Sequence, residues 1–176
     1  MDSVIVKKAI TGDHEALSQL IDNYKDKAYN LAISIVKDRE SAKDITQESF
    51  LKVLENIGRF RNESKFSTWL YRIVYNESLQ QILSNKKICL TDVDVIESEE
   101  YSYEMFAAED EYSEADLYEA IERLEVNERY IILLFYLAEK SIKQINTITG
   151  FSKSNIKVIL HRARKKLFKL IKSEHE

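Results

Sequence analysis

Apolar residues recur three and four positions apart along most of this chain, the spacing of one face of an α-helix. Val4 to Thr11 reads as a short first helix ended by Gly12. Asp13 then caps a long helix running to about Lys37, with Leu17, Leu20, Ile21, Tyr24, Ala28, Leu31, Ala32 and Ile35 on one broad apolar face. Ser41 opens a third helix, in which Ala42, Ile45, Ser49 and Val53, with Leu51 or Lys52, alternate between faces until Gly58. Residues 59–65, RFRNESK, form a polar loop. A fourth helix from Phe66 to about Leu83 is expected to bury Trp69, Leu70, Ile73 and Leu79 or Ile82, with Tyr71, Arg72 and Asn76 partly outward.

The periodicity fades from Ser84 to about Ser113 and resumes at Glu114, where Leu117, Ile121 and Leu124 mark a short helix. Asn127 can cap the next, ERYIILLFYLAEK, which is apolar nearly all round and so belongs at the centre of a small core. Ser141 caps a helix through Thr147, Gly150 supplies a left-handed exit, and Ser152 caps a final basic helix. In that helix Ile156, Leu160, Ala163, Leu167 and Leu170 share the buried face. With no proline and only three glycines, the pattern predicts an all-α protein. It has two small helical domains, a bundle over residues 1–85 and a helix-turn-helix domain over 114–176, joined by an acidic linker over 86–113.

Charge changes this picture most. Residues 1–89 carry 14 basic and 12 acidic side chains, residues 90–127 carry one basic and 14 acidic, and residues 128–176 carry 11 basic and four acidic. The formal net charge of −4 therefore hides a C-terminal third able to attract phosphate and a middle that repels it. The acidic stretch is either a solvated linker or a segment that lies in a basic channel of a partner. Lys153, Lys157, His161 and Arg164, at spacings of four, four and three, form a second stripe on the last helix. A short helix, a glycine turn and a basic helix make either a DNA-reading helix-turn-helix or an ordinary helical hairpin with a solvated face.

Other chemistry is sparse. Cys89 permits no internal disulfide and reads as an incidental thiol. His14, His161 and His175 lie in unrelated contexts, and no nucleophile triad or glycine-rich phosphate loop occurs, so neither catalysis, cofactor nor metal is expected. No apolar run approaches the ~20 residues needed to span a bilayer, and the N-terminal residues lack a signal-peptide pattern. A cytoplasmic protein, not embedded in a membrane, is expected.

Three segments carry a resemblance. Residues 42–53, AKDITQESFLKV, are similar to the conserved region 2 signature of the sigma-70 family of bacterial transcription initiation factors, in its small extracytoplasmic-function (ECF) group. Residues 60–76, FRNESKFSTWLYRIVYN, resemble that family's promoter-opening segment, and residues 124–130 with the helix-turn-helix resemble its region 4. The resemblance implies a dissociable specificity subunit that binds core RNA polymerase through Asp44, Gln47 and Glu48. Asp44 and Glu48 lie one turn apart with Gln47 beside them, a compact surface suited to a basic partner helix, or simply a solvated face.

The same resemblance implies −10 promoter contacts from Arg61, Asn62, Lys65, Phe66, Arg72 and Asn76, around a loop that catches a flipped base. It implies −35 contacts from the last helix. Lys153, Ser154, Asn155, Lys157, Val158 and His161 lie toward bases, Arg162, Arg164 and Lys165 toward phosphates, with Ser152 at the helix start. An anti-sigma factor is implied as a further partner. Three departures stand out: few basic residues follow Asn76, Val126 replaces the usual proline, and Gln144-Ile145-Asn146 replaces Glu-Ile-Ala. A stand-alone helix-turn-helix regulator, or a degenerate protein-binding relative, are the competing readings.

Overall fold

A computed structural model describes residues 2–85 and 114–174; the acidic stretch 86–113, with Cys89, lies outside the described residues. Every regular element among them is helical, and the chain divides into two compact units.

The first unit comprises α1 (Asp2–Ile10), α2 (His14–Val36), α3 (Arg39–Asn56) and α4 (Phe66–Asn85), with a single 3-10 turn at Ile57–Arg59. Gly12 adopts φ +88° between α1 and α2, and the Asp13 carboxylate accepts from the Ala16 N–H at 3.1 Å, as the sequence predicts. α2 is the central helix, packing on α1, α3 and α4. Its Leu20, Tyr24, Ala28, Leu31, Ala32 and Ile35 form the core with Ile45 and Val53 of α3 and Leu70 and Val74 of α4. Only Lys37 and Asp38 separate α2 from α3, and Lys37 takes a left-handed φ of 57° to make the corner. Asp38, not Ser41, caps α3: its carboxylate accepts from the Ser41 N–H at 2.8 Å. Further expectations change here: Tyr71 is buried rather than outward, and Trp69, Ile73, Leu79 and Ile82 are only partly covered.

The second unit is built largely of α5 (Glu114–Glu122), α6 (Val126–Ile132), α7 (Ile142–Thr149) and α8 (Lys153–Glu174). α8 packs on α5 and α6, burying Ile156, Ile159, Leu160, Ala163, Leu167 and Ile171 against Ala120, Ile121, Tyr130 and Leu134. Ile171 takes the place expected of Leu170, which is half-buried, and Ala120 the place expected of Leu117, which is exposed. The N-cap of α6 is Glu125, two residues before the expected Asn127; the Glu125 N–H donates to the Glu128 carboxylate at 3.3 Å. The apolar run after it is not one helix. Leu133–Leu137 form a π-turn, closed by the Ala138 N–H donating to the Leu133 carbonyl at 2.9 Å, and Tyr136 and Leu137 face outward.

Candidate functional site

The α3 helix carries parts of two of three candidate surfaces among the described residues. Ala42, Ile45, Ser49, Phe50 and Val53 bury one side of that helix. The opposite side exposes Asp44, Gln47 and Glu48, as the spacing demands. The stripe then continues into apolar side chains: Leu51 is 47% and Leu54 41% exposed. Periodicity alone leaves Leu51 ambiguous and does not mark Leu54; their sequence signal is two leucines three residues apart in line with an acid–amide cluster.

On another flank of α3, a cleft of about 530 Å³ opens toward α4 and the 59–65 loop. Phe60 and Trp69 stack with centroids 4.9 Å apart and planes 28° from parallel, giving it an aromatic wall. Lys52, Asn56, Asn76 and Glu77 supply polar lining from the two helices, with Arg59, Arg61, Glu63 and Ser64 from the loop. Arg61 and Asn76 thus line the cleft. Asn62, Lys65 and Arg72 are exposed but do not line it. Asn62 holds the loop in a left-handed φ of 55°, a conformation asparagine tolerates better than most residues. Phe66 lies inside rather than on the surface: at 4% exposure it meets Tyr24 edge-on at 5.3 Å and Trp69 at 5.9 Å, supporting the aromatic wall from within the core. Burial also pushes the Tyr75 phenol up to about 12.

The third surface is the helix-turn-helix. The Gln144 N–H donates to Ser141 Oγ at 3.3 Å and the Ser141 N–H to Gln144 Oε1 at 2.9 Å, a reciprocal capping box. Gly150 closes α7 at φ +81°, its N–H on the Asn146 carbonyl at 2.9 Å. Asn146 Nδ2 in turn donates to the Phe151 carbonyl at 2.7 Å. The unusual Gln144-Ile145-Asn146 triplet therefore has local work: Gln144 closes the cap and Asn146 ties the turn. Ser152 Oγ accepts from the Asn155 N–H at 3.1 Å and starts α8.

Along α8, Lys153, Ser154, Lys157 and Lys165 are exposed, and Asn155, Val158, His161 and Arg162 are half-exposed. Arg164 is engaged on the scaffold. Its Nε donates to the Tyr136 hydroxyl at 2.7 Å, and its guanidinium lies 5.8 Å from the Phe135 ring centroid and 5.6 Å from that of Tyr136. Lys166 pairs with Glu128 of α6 at 2.8 Å. These contacts add to the buried face in holding α8, and leave Lys153, Lys157 and Lys165 exposed.

None of the described helices is long and apolar enough to cross a membrane. No cluster of three metal-ligating side chains occurs among the described residues.

Residues 20–88 match the Sigma-70 region 2 family and residues 114–167 the Sigma-70 region 4 family. The ECF RNA polymerase sigma factor SigW of Bacillus subtilis (strain 168) is 32% identical over 177 residues, covering 95% of each chain. RNA polymerase sigma factor SigV of the same organism is 32% identical over 145 residues, covering 82% of this chain and 84% of its own. Among solved structures, CnrH in complex with the cytosolic domain of CnrY superposes with a TM-score of 0.69, covering 98% of this chain and 97% of that one at 18% identity. The sigma factor RpoE, in complex with the anti-sigma factor NepR from Bartonella quintana, gives 0.67 over 88% and 96% at 22% identity. Both share the fold. With region 2 and region 4 in order and SigW matched over almost its full length, this chain belongs to the ECF sigma factors of the sigma-70 family, which direct transcription initiation and perform no chemistry themselves.

Proposed function

We propose that this sigma factor docks on core RNA polymerase through the exposed α3 stripe, Asp44, Gln47, Glu48, Leu51 and Leu54. Its α3–α4 cleft takes an unstacked base of the −10 element, and the first turns of α8 read the −35 element. The observation that carries the reading is the double use of α3. One side offers carboxylates, an amide and leucines to a protein, while Lys52 and Asn56 on another side line the aromatic-walled cleft. Docking and base capture are then held on one rigid element.

Residues 1–85 act as the polymerase and −10 unit, 114–176 as the −35 unit, and 86–113 as the acidic connection. That connection lowers the affinity of the free chain for DNA, so promoter reading depends on polymerase. Within α8, Lys153, Ser154 and Lys157 are the leading candidates for DNA contact, since they are exposed near its start. Arg164 is better suited to holding Tyr136 than to reaching phosphate. The protein works in the cytoplasm, where its promoter DNA and polymerase are. An anti-sigma factor is a fitting regulator, since the sigma factor RpoE, which shares its fold, has been solved with the anti-sigma factor NepR.

In vitro transcription with purified core polymerase tests the whole reading. Promoter-specific transcripts that require the added chain are expected. Specific DNA binding without polymerase would favour a stand-alone regulator, and failure to bind core would favour a degenerate, protein-binding relative.

A further inference from the structure

The α3–α4 cleft contains a charge pair that base capture alone does not explain. Lys52 Nζ of α3 lies 2.6 Å from Glu77 Oε1 of α4 and 4.0 Å from Glu48 Oε1 of its own helix. The Glu77 side chain is 12% exposed, Lys52 35% and Glu48 52%. Attraction weakens with distance and with solvent between the charges, so the short, sheltered pair with Glu77 dominates. Lys52 therefore belongs with the cleft, although Glu48 on the docking stripe is its neighbour along the helix.

A sheltered carboxylate in a cleft for nucleic acid carries two penalties. It repels phosphate, and without a partner it is poorly solvated. Lys52 cancels the first and supplies the partner that removes the second. It also fastens α4 to α3 at the residue next to Asn76, which lines the same cleft.

We propose that Lys52 is a positioning residue for base capture: by pairing with Glu77 it neutralises the sheltered carboxylate beside Asn76 in the cleft. This rests on the reading of the cleft as a base pocket. The test uses full-length chain reconstituted with core polymerase on promoter DNA carrying 2-aminopurine at successive −10 positions of the non-template strand. Emission at one position reports the unstacked base.

Lys52→Met should lower capture at least fivefold while core affinity stays within twofold of wild type. Adding Glu77→Gln to Lys52→Met removes the stranded carboxylate and should restore capture to within twofold, because a neutral pair leaves no unpaired charge. A merely structural role of Lys52 would lower core affinity together with capture, instead of capture alone. If Lys52→Met captures normally, or the double variant is no better than Lys52→Met, the proposal is overturned. Asn76→Ala separates the two levels. If it weakens capture while Lys52→Met does not, only the role of Lys52 fails. If Asn76→Ala leaves emission unchanged at every position, the base-pocket reading fails and takes this proposal with it.

Discussion

Arg129, 1% exposed in the first turns of α6, donates from Nη1 to the backbone carbonyl of Glu122 at 3.0 Å, and the same nitrogen lies 3.4 Å from the Glu122 carboxylate. Glu122 is the last residue of α5, where helix carbonyls lack partners and the helix dipole is negative. A cation from the next helix thus closes the end of the previous one. Burial pulls the guanidinium below its ordinary value, and Glu122 and Glu125 oppose that shift by stabilising the charge. Arg129 Nε has no acceptor among the described residues, so the burial is only partly compensated.

Arg129→Met should destabilise the C-terminal unit by about 1–3 kcal/mol, the range for losing a charge-assisted hydrogen bond and exposing its sheltered partner. Glu122→Gln should cost less than about 1 kcal/mol, since that carboxylate is largely solvated and the carbonyl contact survives. Thermal or urea unfolding of the full chain compares the two. Equal losses would show that the side-chain ion pair, not the carbonyl contact, is what matters.

The corner between α2 and α3 should be sensitive to acid. Accepting the Ser41 N–H holds the Asp38 carboxyl below its ordinary 3.8, so the folded state favours the ionised form. This stabilisation is complete above the unfolded value and is lost as pH falls through the lower folded value. Asp38→Asn keeps a capping oxygen and should remove that pH dependence with little loss at pH 7. Asp38→Ala should lower the melting temperature at neutral pH. An Asn variant that retains the full acid response would place its origin elsewhere.

On the docking stripe, replacing Asp44, Gln47 and Glu48 together by alanine should abolish co-purification with core polymerase while helix content stays constant. Leu51→Ala with Leu54→Ala should weaken core binding roughly tenfold, as expected for truncating apolar anchors at an interface. Because both leucines are exposed in the free chain, its melting temperature should hardly change. Pull-down and calorimetry together decide. Full binding by the triple variant would remove this face from the polymerase interface.

Lys153→Ala with Lys157→Ala should reduce −35-dependent transcription and lower the salt slope of promoter binding by about 2, one for each phosphate-neutralising charge lost. Arg164→Ala should instead act mainly on stability, since its side chain binds Tyr136 and lies over Phe135. A promoter profile unchanged by the lysine replacements would argue for a different register of α8 on DNA.

Which features could be read from sequence depends on how locally they are determined. Gly150, Ser141 and Asp13 act through neighbours three or four residues away, and all three behave as the chain order predicts. Helix starts with several eligible caps were harder. Asp38 and Ser41 both suit the start of α3, and the two-residue corner chooses Asp38. The burial of Phe66 and Tyr71 depends on which neighbouring helices meet α4, information absent from its own periodicity. The cleft was half-visible for the same reason: Asn76 and Arg61 come with the family motif, whereas Lys52 and Glu77 meet only when α3 packs on α4. The charge map found the basic helix, and packing removed Arg164 from its open face.

The π-turn at Leu133–Leu137 gives the second unit a property that ordinary helices lack. Each α-helical residue advances the chain by about 100°, so one surplus residue shifts the phase of everything after it. Deleting a residue here would let α6 run on as regular helix, yet it would rotate the Ser141 cap away from its heading. The basic helix is therefore aimed partly by an integer, the number of residues in this turn. The turn's length therefore has to be preserved as closely as the Tyr136 hydroxyl that holds Arg164 and the buried Leu134.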